Sequence, residues 1–153
     1  MKTVILYNSF NFPLSLVAGA ILTGKLPGQY TAGKIWDVLT DCGGEKHREG
    51  KVCYLGTCAD GSKVVALCAR SGKIILKNLI TSFLEINHIP QSDYSVLEIN
   101  STADLSFLLG QHLLGIPLLD GMGRRLVERY IEKIYPELVK AVKLDCHCQI
   151  SDN

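Results

Sequence analysis

Thr3-Val4-Ile5-Leu6-Tyr7-Asn8-Ser9 opens the chain as a continuous β-branched and apolar run closed by two polar residues. A run with no polar alternation predicts a strand covered on both faces, hence a central strand of a sheet. Beyond Pro13, the residues Leu14, Val17, Ala18, Ile21 and Leu22 recur at helical spacing. Ala18-Gly19-Ala20 gives that helix a low surface for close packing, and Gly24 and Pro27 stop it. A strand followed by a close-packed helix is the first half of a β-α unit.

Working outward, Ile35, Trp36, Val38 and Leu39 predict a second short helix ended by Cys42-Gly43-Gly44, with an exposed polar loop to Gly50. Val52–Thr57 and Lys63–Ala69 flank Asp60-Gly61, a strong local hairpin signal, because a type I′ turn needs positive φ at both central positions. With Asp60-Gly61 as a two-residue loop, the register places Cys53 across from Cys68. Ser71 or Gly72 opens a helix whose Ile75, Leu76, Leu79, Ile80, Phe83 and Leu84 form one apolar stripe, closing near Asn87 before Pro90. Tyr94–Asn100 reads as another strand, and Ser101 or Thr102 as the cap of a helix carrying Leu105, Leu108, Leu109 and Leu113. Ile116-Pro117-Leu118-Leu119 reads as a short edge strand, and Asp120-Gly121-Met122-Gly123 leads into a long amphipathic helix through Val142. The expected fold is a three-layer α/β domain over residues 1–144, a mainly parallel sheet between helices with an antiparallel hairpin at 52–69; residues 145–153 form a tail.

Composition bounds the function. With 153 residues, 47% hydrophobic and 20% charged, the chain can bury a substantial core. A net charge of +1 and no Lys/Arg block argue against nucleic-acid binding. No segment approaches the about eighteen uninterrupted apolar residues of a membrane span. The first seven residues are too short a run for an export signal, so the expected location is the cytoplasm and the six cysteines are expected as free thiols.

In open α/β sheets ligands bind outside the carboxyl ends of the strands, where helix N-termini converge. Three segments qualify: the loop after the first strand with Asn8, Ser9, Asn11 and Ser15, the turn Asn100-Ser101-Thr102, and Asp120 to Arg125 before the last helix. Small hydrogen-bonding groups there, with Arg124 as counter-charge, suit a small anionic or phosphorylated ligand. The same residues are also ordinary turn and cap formers. No glycine fingerprint or Walker pattern occurs in the first loop.

Other motifs weigh less. Cys42-Gly43-Gly44-Glu45-Lys46-His47-Arg48 has the spacing of thiolate phosphatases, but that chemistry needs a strand before the loop and a helix after it, the reverse of the order expected here. Cys146-His147-Cys148 offers soft ligands with no partner pair at workable spacing, Cys53 and Cys58 being the nearest candidates, so no metal site is assigned. His88 and His112 sit at or beside helix faces and His47 in a charged loop, and no Ser/His/Asp set assembles.

The N-terminal strand running into a Ser-containing turn and a small-residue helix ending Gly24-Lys25-Leu26-Pro27, then Gly56-Thr57, Gly61, Gly123-Arg124, Tyr135 and Leu138, carry a resemblance across most of the chain. The pattern resembles a domain-of-unknown-function family of small bacterial proteins (DUF3189-like) of spore-forming Gram-positive anaerobes, with this chain as a divergent member. Family members carry a Gly-Gly, small residue, His, Ser-Ser turn after the first strand. Here Phe10 and Asn11 occupy the glycine positions, Pro13 the histidine position and Leu14 the first serine position, leaving Ser15 matched. The resemblance implies an α/β protein and supplies no reaction, cofactor or partner.

Three functions therefore compete. The first is a cytoplasmic protein, noncatalytic or weakly catalytic, binding a small anionic or phosphorylated ligand through Asn8, Ser9, Asn11, Ser15, Asn100, Ser101 and Arg124. The second is a homo-oligomer or interaction protein, with Phe10 and Phe12 expected as an exposed apolar patch. The third is a phosphoryl-transfer enzyme at the first loop or a thiol enzyme using Cys42.

Overall fold

In a computed structural model of the chain, residues 2–9, 12–42, 50–70, 72–99 and 101–146 are described. Strand β1 (Thr3–Asn8) is followed by helices α1 (Leu14–Leu22) and α2 (Lys34–Asp41), strands β2 (Val52–Thr57) and β3 (Lys63–Cys68), and helix α3 (Lys73–Ile86). A short 3₁₀ turn at Gln91–Asp93 then leads to β4 (Tyr94–Glu98), α4 (Leu105–Leu113) and α5 (Asp120–Cys146). The four strands form one sheet in the order β2-β3-β1-β4, with β1 parallel to both β3 and β4 and β2 antiparallel to β3. The fold is therefore α/β, a mixed sheet flanked by helices, with β1 inside as its unbroken apolar run requires.

The two faces of the sheet are covered unequally. Val4, Leu6, Val64, Ala66, Cys53 and Leu55 are all buried on the face that α1 packs against. Gly19 permits that approach, since a Cβ there would strike the side chains of Leu55, Leu6 and Val64. The connection from β3 to β4 crosses the sheet in the opposite sense to that from β1 to β3. Right-handed crossovers then put α3 on the other face. Among the described side chains of α3 only Leu76 and Leu84 are buried, while Ile5, Val65 and Leu67 of the sheet are half-buried and Val52 and Tyr54 exposed.

The hairpin forms where expected but in another register. Cys53 faces Ala66, not Cys68. Among the described non-glycine residues only His88 has positive φ, so Asp60 does not; Gly61 does, at +81°. The loop therefore spans three residues, a turn followed by a left-handed glycine, and Cys58 N–H donates to the Ser62 carbonyl at 2.8 Å. Asp60 Oδ1 accepts from Ser62 N–H at 2.9 Å, which favours this turn over type I′. A bulge between Tyr54 and Gly56 adds the second step. Two single-residue steps sum to two, so Cys53 keeps its facing and stays buried.

Two other expectations are corrected. Ile116–Leu119 is a turn rather than an edge strand: Leu119 N–H bonds to the Ile116 carbonyl (2.9 Å) and Gly123 N–H to Leu119 (2.9 Å), carrying α4 directly into α5. The cap of α4 is Asp104, whose Oδ1 accepts from Phe107 N–H at 2.8 Å, not Ser101 or Thr102. Those hydrogen bonds, Phe107 N–H first and Ser106 next, hold the Asp104 carboxyl below its ordinary pKa. Cys42, Cys53, Cys58 and Cys68 are free thiols. No helix among the described residues is long and apolar enough to cross a membrane.

Candidate functional site

Asn8 ends β1 at the carboxyl edge of the sheet and is fully buried. Its Nδ2 donates to the Phe12 carbonyl at 2.9 Å, and its Oδ1 accepts from Ser15 N–H at 3.0 Å. Nδ2 also lies 3.7 Å from Cys68 Sγ on the neighbouring strand. Ser15, equally buried, donates its hydroxyl to the Leu67 carbonyl at 3.0 Å. The first turn of α1 is thus closed internally: Leu14 N–H bonds to Phe12 O (2.9 Å) and Leu16 N–H to Pro13 O (3.0 Å). A helix N-terminus attracts anions through unpaired N–H groups, and these three donors are paired.

Phe12, expected as exposed, is a core residue instead. It meets Trp36 of α2 and Phe107 of α4 edge-on, each with ring centroids 6.0 Å apart. Phe107 stacks on Tyr130 of α5 at 4.1 Å. The Phe12 ring is held there by edge-to-face packing against rings carried by two helices, with burial supplying the driving force. Phe12 N–H donates to Gln111 Oε1 at 3.0 Å, and Gln111 Nε2 is buried with no partner among the described residues. The apolar patch attributed to Phe12 therefore does not exist, and Phe10 lies outside the described residues.

This aromatic cluster joins the strand-end segments. Ser101 is hydrogen-bonded to the Tyr130 hydroxyl, which also donates to the Thr102 carbonyl at 3.1 Å. Burial raises the pKa of Tyr130, the Ser101 hydroxyl opposing it. Arg124 lies over the Trp36 ring, its Cζ 5.0 Å from the centroid, and pairs with Asp120 Oδ2 at 2.8 Å. Trp36 Nε1 donates to Glu128 at 2.6 Å. Asn8 through the Phe12 carbonyl, Ser101 through Tyr130 and Arg124 over Trp36 thus border one cluster, with Ser15 bonded to Asn8, and Ser9 is half-buried. Asn11 and Asn100 lie outside the described residues, as do His47, Arg48, His147 and Cys148.

Cys42 caps the end of α2, the wrong element for a phosphatase loop. Burial, reinforced by Cys53, pushes its thiol pKa up, which keeps it protonated and a poor nucleophile. Among the described residues no group of three or more His, Cys, Asp or Glu could hold a metal ion.

Two features carry no signal in a motif search. A cavity of about 320 Å³ lies between β4 and α5, with Leu97, Ile134 and Leu138 as apolar wall and Glu98, Glu137 and Ser101 as polar groups. On α3, the apolar residues outnumber those the sheet can cover. The width of that stripe was the available clue, since eight apolar positions in Lys73–Ile86 exceed one buried face.

The sequence profile of the family described as "Protein of unknown function (DUF3189)" matches residues 3–144. No curated protein and no solved structure matches the chain. With the match spanning every strand and four of the five helices in full, the chain belongs to the DUF3189 family.

Proposed function

We propose that this chain is a cytoplasmic, noncatalytic interaction protein that acts as a two-fold homodimer through α3. One observation carries the reading: Ile75, Leu79, Phe83 and Ile86 are 67%, 64%, 64% and 75% exposed on one face of that helix. Scattered exposed aliphatics are ordinary, whereas a contiguous row marks an interaction surface. Ile75, Leu79, Ser82 and Ile86 follow the 4-3-4 spacing of a helix-pairing seam, with Phe83 flanking Ser82. The seam residues carry no charge. Two copies can therefore abut antiparallel about a dyad, Ile75 opposite Ile86, without like-charge repulsion.

Full burial of a Leu or Phe side chain stabilises by about 1.5–3 kcal/mol, so covering the exposed two-thirds contributes about 1–2 kcal/mol each. Each substitution counts twice in a two-fold dimer. Leu79→Glu with Phe83→Glu is thus expected to cost about 4–8 kcal/mol of association, abolishing the dimer. The test is light scattering after size exclusion across micromolar concentrations. Twice the 16.8 kDa chain mass for wild type and the chain mass for the variant are expected. A monomeric wild type, or a variant that still dimerises, overturns the reading.

A second reading keeps a small anionic or phosphorylated ligand at the strand-end loops. Its support is that Ser101 and Arg124 border the aromatic cluster, with Ser9, Asn11 and Asn100 in the strand-end segments. Asn8 and Ser15 would then hold the loop rather than touch the ligand, because their side chains already bond within the protein. A thermal-shift series with inorganic phosphate, nucleotides and sugar phosphates tests it. A shift lost in Arg124→Ala supports it, and a flat series rejects it.

A further inference from the structure

One row of side chains crosses the whole sheet on the face away from α1. The register pairs Tyr54 with Val65, Val65 with Ile5 and Ile5 with Val96, one residue from each of the four strands. All four are apolar or aromatic and none is buried: Tyr54 is 59% exposed, and Val65, Ile5 and Val96 are half-buried. The neighbouring row adds Val52, 62% exposed, beside half-buried Leu67. On the α1 face the corresponding row is Cys53, Ala66, Leu6 and Leu97, of which the first three are buried. An uninterrupted apolar strand such as β1 calls for cover on both faces, and at Ile5 the second cover is incomplete.

The area left open matches a second copy of this chain. A whole aromatic side chain presents about 150–250 Å² and an aliphatic one somewhat less, so Ile75, Leu79, Phe83 and Ile86 together expose about 400–500 Å² per copy. A standard stable interface takes about 800 Å² from each partner, so α3 alone falls well short. Val52 and Tyr54 add about 200 Å², and half-buried Ile5, Val65, Leu67 and Val96 about 100–200 Å², which brings each copy to about 800 Å². These six sheet residues carry no charge, so two copies of the face can meet without burying one. Lys63, the charged residue of β3 on this face, stands at the start of its strand. An antiparallel dyad holds the two Lys63 side chains at opposite ends of the contact.

We infer that the open sheet face, Tyr54, Val65, Ile5 and Val96 with Val52 and Leu67, is the second surface of the homodimer and is covered by the other copy of this chain. The inference rests on the dimer proposed above and extends it from a helix seam to a helix and a sheet. Tyr54 is the anchor, because its ring is the largest exposed group of the face and its hydroxyl supplies a polar tip for the rim.

The test is sedimentation equilibrium of the full chain and its variants. Tyr54→Lys is expected to weaken the dimer at least about a hundredfold, and Tyr54→Thr, which keeps β propensity, about tenfold. Leu118→Lys, at an almost fully exposed position between α4 and α5, is expected to leave it unchanged. Circular dichroism establishes that each variant folds. Nitration of the wild-type chain by tetranitromethane needs no variant: modification of Tyr54, read by mass spectrometry, is expected to slow about tenfold above the dimer dissociation constant relative to below it. A wild-type dimer indifferent to Tyr54→Lys, or Tyr54 nitrated equally in monomer and dimer, overturns the inference and leaves the α3 seam standing. A dimer lost in Tyr54→Lys and kept in Leu79→Glu with Phe83→Glu overturns the seam and supports the sheet face. A monomeric wild type overturns both, and its Tyr54-dependent sedimentation with phospholipid vesicles would assign the face to a membrane surface instead.

Discussion

Replacing Asn8 by Ala removes a side chain whose two polar atoms are each committed to buried backbone. The Phe12 carbonyl loses one of its two donors, Leu14 N–H remaining, and Ser15 N–H loses its acceptor. Leaving buried Ser15 N–H unsatisfied costs about 1–3 kcal/mol and losing one of two bonds to Phe12 O about 0.5–1.5, so the two together predict a loss of about 1.5–4.5 kcal/mol. For a chain of this length each kcal/mol moves the melting temperature by about 2–4 °C, giving a fall of roughly 3–18 °C. Urea denaturation should show the lower midpoint with an unchanged m value, because the native state buries the same surface. Asn8→Asp serves as the control. It keeps an oxygen for Ser15 N–H but, ionised, offers no donor to Phe12 O and buries a charge. Burial raises a carboxyl pKa, so the protonated state is favoured in the fold, and stability should recover as the pH falls and the carboxyl gains its proton. The contrary result is also informative. Residues reserved for a ligand are commonly neutral or stabilising when removed. An Asn8→Ala protein within about 0.5 kcal/mol of wild type would refute the structural role assigned to Asn8 and return it to the candidate ligand set.

Other outcomes follow from single positions. At Gly123 a Cβ would lie 2.8 Å from Leu114 N and 2.9 Å from Gly110 O, and neither backbone can yield. Gly123→Ala should therefore destabilise by about 1–3 kcal/mol despite the better helix propensity, whereas Gly121→Ala, with open space around it, should stabilise by up to about 1 kcal/mol. Chemical denaturation of the pair checks the opposite signs. Tyr30 and Tyr135, packed edge to face at 5.6 Å, have pKa values pushed up to about 12, chiefly by burial. The folded values lie above the unfolded value near 10, so their contribution is present below pH 10 and lost between about pH 10 and 12. Tyrosinate absorbance should rise in step with the loss of structure over that window; ionisation of all six tyrosines near pH 10 in the folded protein would contradict it. Cys42 should react with iodoacetamide more slowly than a free thiol at neutral pH, since its raised pKa depletes the thiolate. Reaction faster than glutathione would reopen a thiol mechanism.

Much of the fold was legible because its signals are local. The β-branched run at Thr3–Tyr7, the low surface of Ala18-Gly19-Ala20 and the Gly and Pro stops each act through neighbours within a turn or two, and every expected element except the 116–119 edge strand formed within a few residues of its expected bounds. The hairpin shows where this ends. Asp60-Gly61 specified a turn, but the pairing of Cys53 depended on the Asp60–Ser62 bonds and on a bulge four residues further back. The candidate site was less legible. Asn8 and Ser15 looked like ligand groups because a sequence does not tell whether a polar atom faces water or the Leu67 and Phe12 carbonyls across the fold. Phe12 looked exposed until Trp36 and Phe107, distant in sequence, closed around it.

By itself, the sequence determined the class of every element but the turn at 116–119, their order and the identity of the buried first strand, since these follow from backbone preference and periodic burial along a short stretch. Tertiary structure alone decided that α3 has more apolar arc than the sheet covers, that no strand among the described residues pairs with the outer edge of β4, and that a cavity lies between β4 and α5. Which surfaces meet is a property of pairs of elements far apart in the chain. Exposure is what remains after all such pairs are made, and no local pattern contains it.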